Sequence, residues 1–267
     1  MSFRIDVSEP VENVALLCFA DPSRENQLCW AAVDELGQRM RESRERGARV
    51  IVLCSSLPGH WLQHAWLRDL EAGIAGRATT ASGEGWFTVQ QELTHDAVVS
   101  IAAINGDCSG GGAEFGWACD LRIAEEQVRF AQPEVNMGLT TGIGGCSRLM
   151  RIAGRTVTAE MVLGGRPLTA RRLYEVGALN QLVETGAALS AALAMAKRIA
   201  QQSPEAVCGL KRILNAGQDM PLNDALRNEQ EVFQSVAGTT AARAGMRAVQ
   251  SAYDSGATIA SANHYDD

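Results

Sequence analysis

Two glutamates stand beside glycine-rich turns. Glu114 follows Gly110-Gly111-Gly112-Ala113, and Glu134 lies in Gln132-Pro133-Glu134, shortly before Gly142-Ile143-Gly144-Gly145. A pair of carboxylates can take a proton from one atom while delivering another nearby. The triple glycine opens a short apolar segment, residues 113–118, that reads as a helix with Glu114 on its first turn. Unpaired N–H groups at a helix start attract negative charge, helped by the helix dipole. The stretch is therefore suited to holding an oxyanion beside two acids. The plainer alternative is that both glutamates are ordinary surface or paired acids. Against it, a carboxylate set in Gly-Ala-Glu-Phe-Gly-Trp is costly unless used or paired.

Other reactive side chains carry less. Seven cysteines are scattered without a CxxC pair, mostly in apolar runs, and are expected to be reduced core thiols of a cytoplasmic protein. Cys108 and Cys146 lie beside glycine turns but have no histidine close in sequence to activate them. His60 and His64 would share a face of a helix and could begin a metal site. No acidic residue lies between them and no third ligand is evident, so no metal is expected.

The elements that must position the glutamates follow from periodicity. Residues 3–8 and 14–20 read as strands of a hairpin, 50–54 as a third strand, and 98–104 as a buried strand ending at Asn105-Gly106. Helical spacing covers 30–44 (Val33, Leu36, Met40) and 86–95, with a small, polar, mobile loop expected at 73–85. Beyond the glutamates come short helices at 148–153, 156–163 and 169–176, the last capped by Thr169 and stopped by Gly177, then a short strand at 179–183. From residue 187 the pattern is helical only: 187–202, 204–216, 222–236 and 240–255. Residues 258–267 read as a loose end. The division expected is an α/β core with the active site, 1–186, and a C-terminal helical region, 187–267.

The 267 residues are 46% apolar, enough to bury a large core, and carry a net charge of −7. That charge argues against general nucleic-acid binding. Lysine occurs only at Lys197 and Lys211. No signal-peptide pattern and no bilayer-length apolar run is visible, so a cytoplasmic protein that is not membrane-bound is expected.

Four segments in order resemble the enoyl-CoA hydratase/isomerase (crotonase) superfamily: IAAINGDCSGGGAEFGWACDLRIA, FAQPEVNMGLTTGIGG, RLMRIAG, and AEMVLGGRPLTARRLYEVGALNQLVE. The resemblance is strong over residues 101–183, weaker over 3–70 and weakest beyond 237. It implies an α/β fold, a spiral of ββα units, with a C-terminal helical region that builds a homotrimer or a dimer of trimers (a hexamer). It implies an acyl-CoA thioester substrate, as in fatty acid metabolism, and no resident cofactor, coenzyme A being carried by the substrate. Gly111 and Ala65 match the two backbone donors of the family's oxyanion hole. Glu114 and Glu134 match the two catalytic glutamates of its hydratases: the first would deprotonate water and the second would deliver the Cα proton.

The substrate-binding positions implied are Arg24, Gln27, Trp61, Gln63, His64, Trp66, Leu67 and Gly110. His64 replaces a usual glycine and Trp66 a usual aspartate. The first substitution threatens backbone strain, and the bulk of Trp61, Leu62 and Trp66 would narrow the acyl pocket. Near the C-terminus, Tyr253-Asp254-Ser255-Gly256 offers no lysine to the nucleotide. The activity implied is a lyase reaction, hydration of a 2-enoyl-CoA to a 3-hydroxyacyl-CoA or its reverse. Alternatives are another enolate reaction (isomerisation, decarboxylation or C–C cleavage) and a CoA-binding scaffold without activity.

Overall fold

Apolar runs rich in Val and Ile, closed off by Gly, Asn or Pro, become strands. The computed structural model describes residues 3–263. It begins with β1 (Arg4–Val11) and β2 (Val14–Ala20), the expected hairpin, turned at Asn13 with φ 62°. Next is α1 (Trp30–Glu45), which buries Val33, Leu36 and Met40. Then come β3 (Val50–Ser55), β4 (Gly59–His60), α2 (Leu67–Ile74), α3 (Gly85–Leu93), β5 (Val99–Ile104), β6 (Gly106–Ser109) and α4 (Gly110–Ala118). β7 (Leu121–Glu125) and β8 (Arg129–Ala131) lead to a 3-10 turn, Glu134–Met137. The chain continues through α5 (Ser147–Gly164), β9 (Leu168–Thr169), α6 (Ala170–Glu175), β10 (Gln181–Val183) and α7 (Ala188–Ala200).

One sheet has the order β1-β2-β3-β5-β7-β10, with β1 and β2 antiparallel and its other pairs parallel. The other has the order β4-β6-β8-β9. Each pass of chain gives one strand to each sheet before a helix: β3-β4-α2, then β5-β6-α4, then β7-β8 and the 3-10 turn. This is the expected spiral of ββα units. Every residue of β3 and β5 is buried, which is why those strands read as unbroken apolar runs rather than alternating ones.

Three expectations are corrected. Cys18 and Cys54 are register partners on β2 and β3, 4.8 Å apart at Cα, and form a disulfide. Sequence spacing does not reveal two cysteines brought level by neighbouring parallel strands. The loop between α2 and α3, expected to be mobile, is tied down. Asp34 of α1 accepts N–H bonds from Ser82 (3.1 Å), Gly83 (3.3 Å) and Gly85 (2.7 Å), and buried Asp69 of α2 accepts from Thr80 Oγ1 (2.6 Å). Finally, α7 belongs to the core rather than to the C-terminal region. It packs across β3, β5 and β7 through Ala188, Ala192, Ala196 and Ala200, all buried, so the first compact unit reaches Ala200 instead of residue 186. Alanines four apart let the helix approach closely.

The second unit, from Gln201, holds α8 (Pro204–Gly217), α9 (Leu222–Ala237), α10 (Thr240–Asp254) and α11 (Ile259–Ala262). Within it α8 and α9 pack together where Gly209 meets Val232 and Val236. The loose end expected at 258–267 contains α11, and residues 264–267 of it lie outside the described residues. Among the described residues no helix is long and apolar enough to cross a membrane.

Candidate active site

The start of α4 and the loop before α2 are bound edge to edge. Ser109 N–H donates to the Leu62 carbonyl (3.3 Å), Gly112 N–H to the Gln63 carbonyl (3.1 Å), and His64 N–H to Ser109 Oγ (3.2 Å). Only glycine permits this approach. A Cβ at Gly112 would overlap the Leu62 carbonyl, and one at Gly110, where φ is +49°, would lie 2.7 Å from the His64 Cβ. Asn26, buried and itself at φ 61°, holds the loop from behind. Its side-chain amide nitrogen donates to the carbonyls of Trp61 (2.6 Å) and His60 (3.1 Å), and its backbone carbonyl accepts from Gln63 N–H (3.0 Å). Sequence reading missed Asn26; a polar side chain inside a loop gives no sign that it will be buried.

Ala65 and Gly111, the two residues matched to the oxyanion hole, both line one cavity of about 500 Å³. Ala65 pairs with Leu28 through its neighbours: Leu28 N–H donates to the His64 carbonyl (3.0 Å), and Trp66 N–H to the Leu28 carbonyl (2.8 Å). The Ala65 N–H is thereby turned away from Leu28. Gly111 is the second residue of α4, where an N–H has no partner inside the helix.

Both glutamates line this cavity. Glu114 sits just past the first turn of α4, not on it, and is 3% exposed. Its Oε1 accepts N–H bonds from Ile143 (2.9 Å) and Gly145 (2.6 Å), so the second glycine stretch is the partner of the first acid. Among the described residues no protein group donates to Oε2. Glu134 opens the 3-10 turn. Burial pushes its carboxyl up to about 7, with the nearby Glu114 charge acting in the same direction. With the Gln132 amide placed so that its oxygen accepts from Trp117 Nε1 (3.1 Å), its nitrogen donates to Glu134 Oε1 (2.9 Å).

The implied substrate-binding residues divide. His64 and Leu67 line the cavity, and Gly110 lies at its edge, where an added Cβ would come within 3.3 Å of Glu134 Oε1. His64 is not in a left-handed conformation, so the expected strain is absent. Its Nδ1 donates to the Ala65 carbonyl at 2.9 Å, and since a carbonyl only accepts, the proton sits on Nδ1. Trp61 and Leu62 do not narrow the pocket: both are fully buried in the core. The Gln63 amide is spent on Ser109 Oγ (2.7 Å) and the Asp107 carbonyl (2.5 Å). Trp66 lies outside the lining, its ring covered by Arg24 (5.1 Å) and Arg68 (5.5 Å). Arg24 pairs with buried Asp21, and neither it nor Gln27 reaches the cavity wall.

The walls come instead from Trp30, Trp86, Phe87 and Ile143. Periodicity places Trp30 and Trp86 on helices but gives no sign that they line the cavity. Trp86 packs on Gly111, where a Cβ would lie 2.5 Å from Cζ3, and stacks on Phe115 with ring centroids 5.2 Å apart. His60 and His64 share no helix: His60 is in β4 and His64 in the loop after it. Burial, followed by the Asp107 charge, pushes the Cys108 thiol well up, which leaves it a poor nucleophile.

The family model for enoyl-CoA hydratase/isomerase matches residues 9–252. The chain belongs to the enoyl-CoA hydratase/isomerase family. It is 35% identical over 251 residues to a probable enoyl-CoA hydratase of Rhizobium meliloti, taking in 93% of this chain and 95% of that protein. A probable mitochondrial enoyl-CoA hydratase of Dictyostelium discoideum is 38% identical over 157 residues. That match covers 59% of this chain and 57% of the relative, little more than half its length. Among solved structures, the crystal structure of an enoyl-CoA hydratase from Bacillus anthracis superposes with a TM-score of 0.81. It is 25% identical and is matched over 95% of this chain and 97% of that one. This family member thus carries the fold over nearly its whole described length, and its two glutamates share one largely apolar cavity.

Proposed function

We propose that the protein hydrates a 2-enoyl-CoA thioester to a 3-hydroxyacyl-CoA, or runs the reverse dehydration. The carrying observation is the contrast between its two acids. One is clamped by backbone amides, and the other is raised to about 7 across the same cavity. In the hydration direction Glu114 Oε2 takes a proton from water as the water oxygen bonds to Cβ. The π electrons move through Cα onto the thioester oxygen. The amides of Ala65 and Gly111 hold that oxyanion, each worth about 3 kcal/mol in the transition state. Glu134, carrying a proton near neutral pH, gives it to Cα as the enolate collapses. Proton exchange with solvent then restores both acids. Coenzyme A arrives with the substrate and leaves with the product.

Two acids on one cavity favour hydration over isomerisation, which needs only one group to move a proton between carbons. The C-terminal helices expose Leu210, Leu214, Leu226 and Phe233, apolar surface suited to a subunit interface, and the assembly proposed is a homotrimer or a dimer of trimers. Loss of the conjugated-thioester absorbance of crotonyl-CoA tests the reaction. The reading requires turnover by the wild type and its loss in both Glu114→Gln and Glu134→Gln. Unchanged turnover in either variant overturns the assignment.

A further inference from the structure

Trp30 occupies a place built for it. It is the first residue of α1, and its N–H donates to Asp69 Oδ2 at 2.8 Å. Its indole lies between two glycines from different segments. A Cβ at Gly73 of α2 would overlap the far edge of the ring, and one at Gly83, where φ is +77°, would lie 2.8 Å from Cδ2 and Cε3. Gly83 is in turn held by Asp34, and Thr80 by Asp69, so the ring is clamped by the pinned loop. One side of the clamped ring lines the cavity, together with Leu70, Ile74, Trp86, Phe87 and Ile143. The charged side chains of the lining are all acidic: Glu84, Glu114 and Glu134.

We infer that Trp30 selects the acyl group, and that the group it selects is an uncharged apolar chain longer than four carbons. The inference rests on the proposed 2-enoyl-CoA reading of the same site. A cavity of about 500 Å³ leaves much of its apolar wall uncovered by a four-carbon acyl group. Each added methylene laid against that wall is removed from water, which favours the longer substrate by about threefold per methylene. An acyl chain ending in a carboxylate would leave water for a wall that offers carboxylates and no cation, which opposes binding. A rigid indole is a better wall than a flexible side chain, because the glycine clamp leaves it no rotamer freedom to lose.

The test measures kcat/KM for four-, six- and eight-carbon 2-enoyl-CoA thioesters. In parallel, calorimetry measures binding of saturated butyryl-, hexanoyl-, octanoyl- and adipoyl-CoA. Wild-type protein should prefer eight carbons over four by at least about thirtyfold in both series. It should bind adipoyl-CoA at least about tenfold more weakly than hexanoyl-CoA. Trp30→Ala should shrink the eight-to-four ratio to a few fold. Trp30→Leu, a milder change should the alanine variant fold poorly, should shrink it to an intermediate value. A ratio near one in the wild type overturns the inference, as does adipoyl-CoA binding as tightly as hexanoyl-CoA. So does Trp30→Leu lowering every substrate equally, the mark of a merely structural residue. If the saturated thioesters bind with the expected ratios while no enoyl thioester is hydrated, the proposed reaction falls and the acyl-group assignment stands.

Discussion

Gly145 donates its backbone N–H to Glu114 Oε1 at 2.6 Å, the shorter of the two amide bonds that aim this carboxylate. The bond joins a helix to a glycine loop thirty-one residues further along the chain. Glu114→Gln keeps an oxygen that can accept both bonds and replaces the free oxygen with a donor. The variant should fold with a melting temperature within a few degrees of the wild type and lose roughly a hundredfold to ten-thousandfold in kcat. Glu114→Ala differs, because it leaves the buried Gly145 N–H unpaired at about 1–3 kcal/mol and the half-buried Ile143 N–H unpaired at the lower end of that range. Thermal melts of the two variants side by side check this order.

The raised carboxyl of Glu134 sets the pH response. In the proposed hydration it is the acid, so kcat/KM should fall as pH rises through about 7, where its protonated fraction halves. Its folded value lies above its ordinary value of 4.5, so the folded state binds the extra proton between those limits. Its contribution to stability is fully present below about 4.5 and is lost as pH rises through about 7. Glu134→Gln should remove this fall in stability between pH 4.5 and 7, measured as denaturation midpoint against pH, when compared with wild type.

Much of this was legible beforehand, for reasons that differ by element. The kink of α5 at Gly154 (φ 78°) is where the sequence shows two short helices meeting, and Thr169 Oγ1 caps α6 by accepting from Arg172 N–H. Caps, stops and buried strands are local, and local chemistry is written in neighbouring residues. Glu114 stood out because a charge in an apolar helix needs a purpose, and Glu134 because it lies just before the second glycine stretch. The pocket walls did not. Trp61 and Trp66 lie close to Ala65 in sequence, yet one is core and the other lies beneath two arginines, while Trp30 and Trp86 reach the cavity from other helices. Which aromatic faces a ligand is decided by packing between distant segments. The Cys18–Cys54 pairing depends in the same way on strand register.

Asn26 carries the loop that presents the Ala65 amide. Asn26→Ala removes the donors to the His60 and Trp61 carbonyls and places a Cβ-bearing residue without a polar side chain at positive φ. A loss of about 3 kcal/mol in unfolding free energy is expected. kcat should fall further than stability alone explains at temperatures where the variant is folded. Urea denaturation and steady-state kinetics on the same sample separate the two effects.

Gly112→Ala attacks the contact between α4 and the loop, because its new Cβ would overlap the Leu62 carbonyl. The backbone of residues 62–65 must retreat, carrying the Ala65 amide away from Gly111. A misplacement of about 1 Å costs roughly a hundredfold in rate. The expected result is a kcat lowered by at least that factor, with acyl-CoA binding, followed calorimetrically, weakened far less.

The most direct test of the central claim is the fate of solvent atoms. The substrate is a 2-enoyl-CoA incubated in deuterated, ¹⁸O-labelled water, with the product analysed by mass spectrometry and NMR. The two-carboxylate account predicts a 3-hydroxyacyl-CoA with one solvent deuteron at Cα and one solvent oxygen at Cβ, formed by the wild type and by neither Glu114→Gln nor Glu134→Gln. Double-bond migration without oxygen incorporation, or full-rate product from either variant, would contradict it.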